Sequence, residues 1–160
     1  DARGCSAAAN VEVPENILPL SAAIRQTSQV NCFGESNAAI EVEVKGGKGP
    51  FQFQWNDSKI SSKNATGLPA GEFVVTVTDA MGTAQTARIT VGQPEILEVS
   101  IFEKEPAFSD SSNDGKASAK VTGGNGNYTF QWDNGESGPK AESLSLGQHG
   151  LTVTDSKGCT

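Results

Sequence analysis

The chain repeats itself. The segment GGKGPFQFQW, ending at Trp55, returns as GGNGNYTFQW, ending at Trp132, and GEFVVTVTDAMGT returns as GQHGLTVTDSKGC at nearly the same offset. Two blocks in the same order with a period of about 77 residues are the signature of an array in which one structural unit recurs. The opening DARGCSAAANVEVPE matches DAMGTAQTARITVGQPE from Asp79 onward, so it is expected to supply the last turn and last strand of a preceding unit. The predicted organisation is therefore a terminal strand plus linker over 1–19, a complete repeat over 20–94, and a second repeat over 95–160 that lacks its last strand. The stretches VPENILPL and GQPEILEV read as short, semi-stiff linkers.

Inside each repeat the apolar residues alternate with polar ones, as in a sheet with one buried and one wet face. Ile40, Val42 and Val44 alternate with Glu41 and Glu43, and Ala117, Ala119 and Val121 with Ser118 and Lys120. After Gly46-Gly47 or Gly123-Gly124 come Phe51, Phe53 and Trp55, or Tyr128, Phe130 and Trp132, the bulky core candidates. Phe73, Val75 and Val77, matched by His149, Leu151 and Val153, lead through a DxxG turn to Ile89 and Val91, a hairpin pattern. About seven strands in roughly 75 residues, with one Trp in the third, predict an all-β fold of tandem immunoglobulin-like β-sandwiches.

Composition narrows the function. A net charge of −7 without a Lys/Arg cluster speaks against a nucleic-acid partner, since phosphate binding works by releasing counterions to clustered cations. No apolar run reaches the roughly 18–20 residues of a membrane span, so membrane insertion is not expected. With one histidine, no G-x-S-x-G elbow and no acidic pair recurring in both repeats, no catalytic constellation assembles, and the chain is not read as an enzyme. His149 stands in the slot of Phe73 and is given a structural role. Cys5, Cys32 and Cys159 lack CxxC spacing, so neither a zinc nor a redox motif is supported.

Other candidates are set beside plainer readings. In SDSSNDGK, the oxygens of Asp110, Asn113 and Asp114, with Ser112, form a candidate calcium site, the one cofactor considered. The same residue types build ordinary surface turns. Trp55 and Trp132 could stack on sugars in an accessory carbohydrate-binding module of a secreted enzyme, the alternative function, but their phase with Phe53 and Phe130 places them in the core. The sequons at Asn64 and Asn127 are treated as fortuitous.

The set CFG, GGKGPFQFQW, LPAGEFVVTVTDAMG and GQP resembles the SprB-type repeats of cell-surface adhesins from gliding bacteria of the Bacteroidetes, which are similar to polycystic-kidney-disease-type (PKD-like) domains. The resemblance covers nearly the whole chain. It implies type IX export, an extracellular, outer-membrane-associated location, a stalk or adhesive role in gliding motility, and a surface glycan or protein ligand. It also implies a bridge within each repeat between the CxG and DxxGC positions. Here that pattern is broken: the complete repeat has Cys32 but Thr83, and the second has Ser109 but Cys159. A Cys5–Cys32 bridge then becomes a candidate, requiring Cα atoms within about 7 Å. The expected partners are neighbouring repeats. A head-to-tail filament is a second possibility, in which residues near Ala7 to Val13 of one copy complete the second repeat of the next by strand exchange.

Overall fold

The computed structural model describes residues 9–12, 16–109 and 111–160. It is all-β. The first sandwich comprises β1 (Ser21–Ser28), β2 (Ala38–Lys45), β3 (Gln52–Trp55), β4 (Asn64–Leu68), β5 (Gly71–Thr78) and β6 (Ala84–Val91). The second comprises β7 (Glu98–Glu105), β8 (Gly115–Thr122), β9 (Thr129–Trp132), β10 (Lys140–Leu144) and β11 (Leu151–Thr154). No helix among the described residues is long and apolar enough to cross a membrane.

In the first sandwich one sheet has the order β1-β2-β4 and the other β3-β5-β6, all antiparallel. This is the immunoglobulin arrangement without the fourth strand of its larger sheet. Against the expectation of about seven strands, six form here, because Asn56–Lys63 crosses between the sheets as bends and turns and forms no strand of its own. The second sandwich repeats the plan as β7-β8-β10 and β9-β11. The registers agree: Trp55 faces Val75 and Phe53 faces Val77, just as Trp132 faces Leu151 and Phe130 faces Val153.

Alternation fills the first core. Ile40 and Val42 from one sheet meet Phe73, Val75 and Val77 from the other, with Trp55 and Val91 closing the ends. The outward face of the same strands is polar, and Arg25 on β1 spans Glu41 (3.0 Å) and Glu43 (3.3 Å) on β2. Each Trp also meets the polar demand of its ring: Trp55 Nε1 donates to Ser62 O and Trp132 Nε1 to Gly138 O, both at 3.0 Å.

The Gly-Gly turns have a specific task. Gly46 and Gly47 both have positive φ, 65° and 66°. A Cβ on Gly46 would overlap the carbonyl oxygen of Pro19, while Gly47 N donates to Leu18 O at 2.8 Å. Gly123 and Gly124 do the same for the second linker: a Cβ on Gly123 would overlap Ile96 O, and Gly124 N donates to Glu95 O at 3.0 Å. Each sandwich thus grips the chain that enters it, and only glycine leaves room for that approach.

Candidate functional site

Two features stand apart from the packed cores: the joint between the sandwiches and an open groove on the second. At the joint, the loop after β1 (Asn31–Asn37) meets the turn after β11 (Asp155–Cys159). Cys32 and Cys159 are joined by a disulfide, Cα to Cα 5.6 Å, across 127 positions of sequence. This corrects the Cys5–Cys32 candidate and relocates the family-type bridge, which joins successive repeats rather than closing one. Cys5 lies outside the described residues.

Both cysteines are held by their own loops. Asp155, buried despite its charge, takes Lys157 N (2.8 Å) and Cys159 N (3.0 Å) on Oδ1, and Asn125 N (2.7 Å) and Asn125 Nδ2 (2.8 Å) on Oδ2. Burial alone would raise its pKa, but these donors outweigh burial and hold it at about 2. Asp79 plays the same part in the first sandwich, accepting from Met81 N, Thr83 N and Lys48 N. At the other wall of the joint, Cys32 N donates to Glu35 Oε2 (3.1 Å) and Asn31 N to Asn37 Oδ1 (3.0 Å). Asn125 Nδ2 reaches across to Asn31 O at 2.8 Å, and Gly34 N donates to Gln93 Oε1 of the linker at 2.9 Å. A bridge closing so long a loop removes unfolded-chain entropy worth on the order of 4–5 kcal/mol in the chain-entropy picture.

The groove arises from a difference between the sandwiches. In the first, β6 lies along β5 and buries Val91, with Ile89 and Ala87 packed on the core. In the second, no strand among the described residues pairs with the outer edge of β11. The core there gathers only around Ala119, Trp132, Ala141 and Leu144. Val99 and Ile101 on β7 remain 43% and 47% exposed, whereas Ile24, at the place of Ile101, packs on its core. The result is a groove of about 700 Å³ whose walls include Ile101, Ala117, Trp132, Leu144 and Leu151.

His149 sits at the rim of this groove, in the turn before β11 rather than at a strand start. Its Nδ1 lies 2.9 Å from Asp133 Oδ1 and its Nε2 3.0 Å from the Ser145 carbonyl oxygen, with Ser145 Oγ at 3.5 Å. Acid, imidazole and hydroxyl lie in a row, but the nitrogen nearest the hydroxyl sits closer to the Ser145 carbonyl oxygen than to Oγ. The Asp133 carboxylate and the Ser145 carbonyl raise the His149 pKa accordingly. Bonded on both sides, the ring ties the Ser145 turn to Asp133 as a structural clamp.

Of the calcium candidates, Asp110 lies outside the described residues. Asn113 and Asp114 are exposed, and Asp114 Oδ1 accepts from Phe108 N at 2.9 Å while Ser112 and Ser109 bond to each other, which is turn chemistry. Among the described residues no cluster of three or more His, Cys, Asp or Glu side chains is poised for a metal. Asn64 lies on β4, and Asn127, with φ 50°, in the turn before β9.

Residues 25–59 and 111–137 match the family described as SprB repeat. The two segments cover corresponding parts of the sandwiches, from the first strand or the loop after it to the turn beyond the Trp. In these two segments the chain is similar to SprB repeats. SprB repeats occur in cell-surface proteins. Among solved structures, the chain is similar to the three N-terminal domains of the bacteriophage RB49 highly immunogenic outer capsid protein (Hoc), at 13% identity and a TM-score of 0.47. That likeness covers 85% of this chain and 58% of the other, less than two thirds of its length. No curated protein sequence matches. In this chain the CxG loop and the DxxGC turn are the two halves of a joint contributed by successive repeats.

Proposed function

We propose that this chain is a structural segment of a bead-like array on a bacterial surface protein, a stalk or spacer that holds an adhesive surface away from the cell. The resemblance to gliding-bacterium adhesins supports type IX export and outer-membrane association as its setting. The observation that carries the reading is the open edge of β11, laid out to receive the strand that β6 supplies in the first repeat. The partner is then a neighbouring repeat, and the recognition is strand addition, with backbone bonds giving affinity and alternate apolar side chains filling the groove. Residues 6–13, SAAANVEV, repeat the pattern of β6, so a second copy can supply the same strand head to tail. Deletion through Val13 is expected to abolish any such self-association.

The carbohydrate-module alternative loses its platform, because both indoles are buried, Trp55 at 7% and Trp132 at 3% exposure. The function is read as non-enzymatic, and the Asp114 loop as a turn whose unfolding temperature is indifferent to calcium or chelator. The test is thermal unfolding of the chain with and without a strand of the sequence AQTARITV joined after Thr160. Burying a Val and an Ile at about 1.5–3 kcal/mol each, with about 4–8 °C per kcal/mol for a domain of this size, predicts a rise above about 10 °C. No rise would mean the groove is not a strand acceptor, and the array reading would fall.

A further inference from the structure

The position of the disulfide in the chain has a mechanical meaning that goes beyond the array role. Cys32 follows β1, and Cys159 follows β11. Every strand except β1 therefore lies between the two cysteines in sequence. We propose that the Cys32–Cys159 bridge is a covalent load path: tension entering before β1 and leaving after Cys159 passes through β1, crosses the sulfurs and bypasses residues 33–158. Beyond β1, neither sandwich can be unravelled by such a pull, and the linker between them carries none of it.

Three observations support the path. The first is that the only strand among the described residues left on it is already drawn out. β1 is an edge strand paired with β2 alone, and strand geometry of about 3.2–3.4 Å per residue is close to the roughly 3.3–3.6 Å limit of the extended chain. Pulling along it gains almost no length. The second is that both ends of the bridge are anchored: Cys159 N to Asp155, Cys32 N to Glu35, and the flanking Asn31 carbonyl to Asn125. Load arriving at either sulfur thus meets a loop braced by its own sandwich. The third is that the bridge is partly sheltered, Cys159 being 8% exposed. A bridge closed within one repeat would shelter that repeat and leave the linker and its neighbour under tension. This one shelters the pair.

The experiment is force extension of the full chain held at its two termini through enzymatically attached handles, first oxidised and then with dithiothreitol. The span of 127 positions corresponds to roughly 420–460 Å of extended chain. The oxidised protein is expected to withhold that length at forces that unfold ordinary sandwiches, and reduction to release it. Cys32→Ser is expected to release it without reductant. If that variant does not fold, its extension still reads the same length, and reduction of the unmodified chain under tension reads it independently. Release of the full length from the oxidised protein would overturn the proposal. So would a reduction-dependent gain of only about 90–97 Å, the span from Cys5 to Cys32.

Discussion

At the scale of single residues, the fold depends on a few positions where side-chain identity is dictated by what lies against it. Gly46 and Gly82 both have positive φ, yet a Cβ at Gly46 meets the Pro19 carbonyl while one at Gly82 meets nothing within 4 Å. Gly82→Ala is therefore expected to cost about 1 kcal/mol, the left-handed penalty alone. Gly46→Ala adds a clash with backbone and is expected to cost about 2–4 kcal/mol in urea unfolding. Equal costs would show that the linker is not gripped as described. His149 gives a pH signature. Its folded pKa is raised above 6.5, so the stability it contributes is full below pH 6.5 and is lost as pH rises through the folded value. The unfolding temperature of the second repeat should fall as pH rises above 6.5, and His149→Phe, restoring the residue type of Phe73, should flatten that fall. A profile unchanged by the substitution would remove the imidazolium from the account. In the sequence, His149 was legible as a structural residue through its alignment with Phe73, but its partners Asp133 and Ser145 were not, because they come from different turns.

At the scale of elements, period-two alternation and the repeat made the strands legible. Ile40, Val42, Phe73, Val75 and Val77 all face inward as the alternation requires. The strand count was overestimated in the stretch from Asn56 to Lys63, where polar and turn-forming residues link the two sheets without forming a strand. The last strand of the pattern was legible in the repeat as well, since Ile89 and Val91 have sequence counterparts at Val11 and Val13. What the pattern could not show is how the second core responds. Leu151 and Val153 keep their register on β9, so the sheet persists, but Ile101 and Trp132 line a groove rather than a filled interior.

At the scale of the whole molecule, the arrangement of repeats depends on contacts that no periodicity encodes. The Asn31–Asn37 loop reaches the second sandwich because the GQP linker is tied back through Gln93 to Gly34 and because Gly123-Gly124 clasps the incoming Glu95 and Ile96. One signal for the pairing was present in the sequence. The first repeat keeps only the early cysteine and the second only the late one, and such complementary losses fit a bridge between repeats better than a bridge within them. Cys5 stands two periods before Cys159, in the same DxxGC position. The account rests on the joint, and peptide mapping of the unreduced, alkylated protein tests it most directly. The expected result is a single cross-linked pair joining the peptides of Cys32 and Cys159, with Cys5 alkylated. A Cys5–Cys32 pair with Cys159 alkylated would contradict the joint and the load path together.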